Sequence, residues 1–166
     1  MKYNTATMHS YTSYRLPVYP YVPGFNIHPG KNTEIKHIPD FPDTAVKFSS
    51  KNWHESVRYL YAIDLFNNKY FWEVHEVLEK LWLETGKDSP EGTFFKGLIQ
   101  LAVALLKKTA GNKRGLIRLT EKAIPKLNTQ TGIYLGIDID AFINQYLLFI
   151  DDKISEQPII HLQFPL

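Results

Sequence analysis

FWEVHEVLEKLW, residues 71–82, decides how this chain is read. At about 100° per residue, Val74, Val77, Leu78 and Leu81 fall to one side of Phe71, and Trp82 falls beside it. Glu73, Glu76 and Lys80 gather opposite, on the arc expected to face solvent. An apolar stripe of this period predicts an amphipathic helix over about residues 70–84, stopping before Gly86. The same wheel sets His75 and Glu79 between Phe71 and Trp82 on one side and Trp72 on the other. Residues four apart share a helix face, so these two side chains meet. Placed among Phe71, Trp72 and Trp82, a carboxylate is costly unless it is paired or bound to a metal. The chain has no cysteine, so any metal here takes His, carboxylate or water ligands, which suits a divalent transition metal such as Zn, Mn, Fe or Ni. The plainer reading is a buried His75–Glu79 hydrogen bond that orders the core.

Outward from this helix, apolar positions keep the same period. Trp53, Val57, Leu60, Tyr61 and Leu65 predict a preceding helix over about residues 52–66, with Asn67-Asn68-Lys69 as the turn. Asp64 follows Leu60 on the apolar line, which makes it a further ligand or a partner for the turn amides. Ser89-Pro90-Glu91 reads as a helix start, with a capping hydroxyl, proline at the first position and then an acid. That helix is expected to reach about Thr109. Phe94, Phe95, Leu98, Ile99, Leu101, Ala102, Leu105 and Leu106 make it a central element, while Lys96, Gln100 and Lys107 form its wet line. Gly97 and Ala104 share a line that permits a close helix neighbour. A fourth helix is expected over about residues 113–123, limited by Pro125. A fifth begins near Asp138 or Asp140 and continues to about Ile154.

Residues 1–48 differ from the rest, holding six of the ten prolines amid Tyr and Gly. Proline forbids a helix here. Tyr14, Tyr19, Tyr21 and Phe25 are too apolar for a free linker, so an extended arm wrapped on the body is expected. The expected organisation is one all-α domain. It has an arm over 1–48, a bundle of about five helices over 49–156, and an apolar tail over 157–166 that packs on the body or on a second subunit of a homo-oligomer.

Composition excludes several classes. Without cysteine there are no disulfides or thiolate sites. The N-terminal stretch lacks an apolar core of signal-peptide length, and no stretch spans a bilayer, so no membrane partner and a cytoplasmic location are expected. Net charge is +2, but residues 107–126 hold seven Lys/Arg against Glu121, a local +6 that leaves −4 elsewhere. Arg114, Arg118, Lys122 and Lys126 recur every four residues. On a helix continuing past Pro125 they would form a basic stripe for nucleic acid or another anionic partner; otherwise they are a solvated face. HEVLE at 75–79 invites comparison with the HExxH zinc-protease signature, but the second His is missing, which excludes that class.

Three segments in order, DLFNNKYFWEVHEVLEKLW (64–82), FFKGLIQLAVALLKKTAGNKRGLIRL (94–119) and GIDID (136–140), resemble the bacterial and archaeal family called domain of unknown function 309. Its H-x-x-x-E-x-x-W hallmark is matched by His75, Glu79 and Trp82. The resemblance spans about 56–150. It implies a helical protein without an established activity, whose motif is suspected of metal binding. LPVYPYVPG (16–24), then His28-Pro29 and His37, is similar to an extended subgroup, although Ile27 and Lys36 stand where that subgroup carries Pro and Gly. A wrapped arm would bring one or both of His28 and His37 to His75 and Glu79; the plainer reading is that they are surface histidines on a flexible arm.

Two functions from different classes follow. The first is a metal-binding bundle performing metal-assisted hydrolysis, with His75 and Glu79 as ligands and Asp64, His28 or His37 completing the shell. Glu76 would serve as base only if it faced the site. The second is a non-enzymatic binding or assembly module with a structural His75–Glu79 pair and the basic stripe as its contact surface.

Overall fold

Ser56 opens the first helix: its hydroxyl accepts the Tyr59 amide and so takes one of the orphan N–H groups of the first turn. The computed structural model describes residues 10–31, 36–42 and 44–166. Residues 1–9, part of the stretch read for a leader, lie outside it. Helix α1 runs Val57–Asn67, later than expected, because Trp53–Glu55 forms a separate 3-10 turn with Trp53 buried. Helix α2 is Phe71–Thr85. Helix α3 is Pro90–Thr109, with Ser89 capping the Gly92 amide and proline in the first turn. Helix α4 is Lys113–Leu127, and helix α5 is Ile139–Ile150, capped by Asp138.

Two boundaries differ from expectation for local reasons. Pro125 lies inside α4 rather than after it. In the last turn its missing N–H forfeits only one bond, to the carbonyl of exposed Glu121, which water can take. At the other end of the chain, α5 stops at Ile150 because Asp152 turns to positive φ. A hairpin of two-residue strands also appears between α4 and α5: β1 Ile133–Tyr134 pairs antiparallel with β2 Ile137–Asp138.

Helix α3 is the centre of the bundle. Phe94, Phe95, Leu101 and Leu105 have essentially no solvent exposure and meet Tyr59, Leu65, Leu78 and Tyr146 in one core. A Cβ on Gly97 would stand 2.9 Å from Leu127 Cδ2, so glycine at this position is what lets α4 pack closely on α3. No described helix is long and apolar enough to cross a membrane.

The arm lies on the α1–α2 side. Tyr14 packs edge-on to Tyr61, and the Tyr61 and Tyr70 hydroxyls donate to the Arg15 and Pro17 carbonyls at 2.9 and 3.0 Å. Phe25, expected to pack, is largely exposed, on a turn closed by its own amide to Val22. The tail packs on the body. Ile160 is buried, and its amide and carbonyl exchange bonds of 2.8 and 2.9 Å with the Asn67 side chain.

Candidate metal centre on the second helix

The buried arc of α2 is Phe71, Val74, Val77, Leu78 and Leu81, together with one carboxylate, Glu73. This shifts the burial away from where the wheel placed it. Core contacts centre on Val77 and Leu81 rather than on Phe71 and Trp82. Consequently Trp72, His75, Glu76, Glu79 and Trp82 share a half-buried outer face. His75 and Glu79 are not enclosed by aromatic rings: their side chains are 33% and 45% exposed.

On that face the geometry is compact. His75 Nδ1 is 3.2 Å from Glu76 Oε1, and His75 Nε2 is 4.0 Å from Glu79 Oε2. One donor atom from each of the three lies within 4.8 Å of the others; among the described residues this is the one His/Asp/Glu group so arranged. Glu76, assigned to the wet face, is 37% exposed and belongs to the group. Trp82, one turn on, has Lys96 Nζ 4.3 Å and Lys87 Nζ 5.1 Å from its ring centroid. Its indole N–H is buried without a partner among the described residues, as is the amide oxygen of Gln100, which the sequence placed in solvent.

The other expected ligands are engaged elsewhere. Asp64 is buried, and its carboxylate accepts from Ser10 Oγ, the Tyr11 and Thr12 amides and Thr12 Oγ1 at 2.7 to 3.0 Å. It anchors the arm. His37 does reach α2, but its Nε2 meets Glu73 Oε1 at 2.5 Å. His28 stacks edge-on against Trp72 and Tyr21, with its Nδ1 accepting the Gly30 amide. None of the three belongs to the His75 group.

Sequence reasoning missed Glu73. It has no exposure, and it accepts the Tyr21 amide at 2.8 Å as well as His37. Burial pushes its carboxyl above the usual range, opposed by these two hydrogen bonds. Its partners stand 36 and 52 residues away, on the arm, so no wheel drawn on α2 alone could find them.

Two cavities of about 380 and 400 Å³ open elsewhere, and His75, Glu76 and Glu79 line neither. Among the described residues, the His75 group lies on a half-exposed helix face.

Residues 59–119 match the model of the family described as Domain of unknown function (DUF309). Over these residues the chain is similar to that family. The DUF309 match runs from the first turn of α1 into α4 and takes in the whole His75 group, Trp82 and Lys96. No curated protein matches the chain.

Proposed function

We propose that this chain is a divalent-metal-binding domain with His75 Nε2 and Glu79 as protein ligands. The supporting observation is the one-turn spacing that leaves Nε2 and Oε2 4.0 Å apart. Two donors at 2.0–2.2 Å from a tetrahedral ion are roughly 3.3–3.6 Å apart, so the pair would close by about half an ångström, which side-chain rotation allows. Glu76 at Nδ1 is the usual outer carboxylate of a metal-binding histidine: it fixes the tautomer that leaves Nε2 free to bind. A bound ion would supply acidified water and polarisation of an ester or phosphoryl oxygen, which is the chemistry of metal-assisted hydrolysis. The two ligands are 33% and 45% exposed, so water would reach the ion.

The test is elemental analysis of tag-free protein purified without chelator, with His75→Ala, Glu79→Ala and Glu76→Gln alongside. Near-stoichiometric transition metal is expected in the wild type. It should be lost in the first two variants and bound roughly 10–100-fold more weakly in the third. Since all three side chains are about one-third exposed or more, each variant should stay within about 0.5 kcal/mol of wild-type stability. Metal-free wild type, with His75→Ala destabilised by more than about 2 kcal/mol, would make the pair structural and end the proposal.

One observation favours a second reading, an assembly module for an anionic partner. Helix α4 is continuous through Pro125, so Arg114, Arg118, Lys122 and Lys126 lie on one helix, rising about 6 Å per step. The first three are exposed and make no ion pair with a described residue. Binding to nucleic acid that weakens steeply with salt, and is lost on Arg114→Gln with Arg118→Gln, would support this reading. Binding unaffected by both changes would dismiss it.

A further inference from the structure

Three helices of this fold end in the same hydrogen-bonded turn. After α1, the Tyr70 amide donates to Leu65 and the Lys69 amide to Phe66. After α3, Asn112 donates to Lys107 and Gly111 to Lys108. After α5, Lys153 donates to Leu148 and Asp152 to Phe149. This is the paired closure that places one residue at positive φ, where glycine avoids the Cβ clash. The α3 turn uses glycine, with Gly111 at φ 72°. The other two do not: Lys69 sits at φ 68° and Asp152 at φ 56°. Among the described residues only one other side-chain-bearing residue, Leu135, has positive φ.

One of the two, Lys69, borders a cavity, and the other, Asp152, bonds Lys108, which borders the same cavity. It has a volume of about 400 Å³, with Phe71, Leu105 and Phe149 as an apolar lining and Lys69, Lys108 and Ser155 among its polar groups. Lys108 Nζ lies 5.1 Å from the Phe149 ring centroid and 2.7 Å from Asp152 Oδ1. The volume falls in the range of small-molecule sites. A cation near a helix C-terminus complements the dipole, and that accounts for a lysine in a last turn. It does not account for lysine at the position where glycine is the less strained choice. Strain retained at a cavity edge is a mark of function.

We infer that this cavity is a binding site for a small organic anion: an aromatic or branched apolar body against Phe71, Leu105 and Phe149, with an oxyanion head between Lys69 and Lys108. Asp152 is the internal counter-ion that the head displaces from Lys108. The site shares no residue with the His75 group and stands or falls independently of it.

The probes are phenylacetate and phenyl phosphate, which separate a carboxylate from a phosphate head. Acetate lacks the body and phenylacetamide lacks the charge. Binding is followed by amide shifts of the full chain. Phenylacetate or phenyl phosphate should shift the Lys69 and Ser155 amides, and both controls should bind at least tenfold more weakly. Lys69→Gly should bind at least fivefold more weakly while melting at a higher temperature, because relief of strain and loss of the site occur together. Asp152→Asn keeps a residue that tolerates the turn and frees Lys108, so it should tighten binding. Wild type that binds neither aromatic probe at millimolar concentration overturns the inference. So does Lys69→Gly that binds as the wild type does.

Discussion

Asp64→Asn tests how the arm is held. The carboxylate takes one donor at Oδ1, the Tyr11 amide at 2.7 Å, and three at Oδ2: Ser10 Oγ, the Thr12 amide and Thr12 Oγ1. An asparagine has one oxygen for these four donors. The better orientation keeps the oxygen with the three and turns the NH2 toward the Tyr11 amide, donor against donor. Leaving that amide unsatisfied costs about 1–3 kcal/mol, and the three remaining bonds lose their charge assistance. The arm can partly peel away into water, which caps the loss, so a destabilisation of about 2–4 kcal/mol is expected. Urea unfolding followed by tryptophan fluorescence measures it if the transition is two-state. Peeling has a second signature. The Arg15 side chain now bonds the Lys36 carbonyl at 2.8 Å, and the Arg15 carbonyl is held by Tyr61. Freed from Asp64, this segment should be cut at Arg15 by trypsin much faster. A midpoint shift equivalent to less than about 0.5 kcal/mol, with unchanged cleavage at Arg15, would refute the claim that Asp64 is the arm's anchor.

Gly97→Ala drives a methyl to 2.9 Å from Leu127 Cδ2 and 3.3 Å from Lys126 Cβ, so it should cost about 1–3 kcal/mol by thermal melt; an unchanged melting temperature would show that α4 yields freely. Asn67→Ala strips both bonds from buried Ile160, and the tail beyond residue 157 should then lose amide-exchange protection before the helices do. Tyr146, hydrogen-bonded to Thr120 at 2.7 Å, has its hydroxyl pushed up to about 12 by burial. The folded state therefore holds this proton more tightly than the unfolded chain. The corresponding stability is complete below the ordinary tyrosine range near pH 10 and is lost as pH rises through about 12. Tyr146→Phe should flatten part of the fall in urea midpoint between those values, and a slope identical to wild type would contradict this.

The helices were legible because their punctuation is local. Ser89-Pro90 and Asp138 start α3 and α5 through side chains that reach amides three residues away. Pro125 misled because its penalty depends on how many turns follow it, and here almost none do. The site was half legible. His75 and Glu79 meet because they are one turn apart, which a wheel contains. Their exposure is set by which side of α2 meets α1 and α3, and by an arm that covers Glu73; both are tertiary facts. Bulky Trp72 and Trp82 pulled the apparent apolar centre toward themselves, although they are amphipathic rings that do well at a rim. The same remoteness hid Asp64, whose four donors lie more than fifty residues away.

Tyr11 ties the arm to the tail: the Leu162 amide donates to its hydroxyl at 2.9 Å, 151 residues away in sequence, and its ring lies against Phe164. On a ribosome the arm is made before the helices and the tail after them, so this seam cannot close until residues 160–164 have emerged. Helices α1 to α4, whose contacts are mostly local, can assemble meanwhile, as chains with short-range contacts do quickly. The proline- and tyrosine-rich arm must wait in solution beside them. The seam between arm and tail therefore closes after the helices have paired, and until then it is a place where a chaperone or a protease would find this domain unfinished.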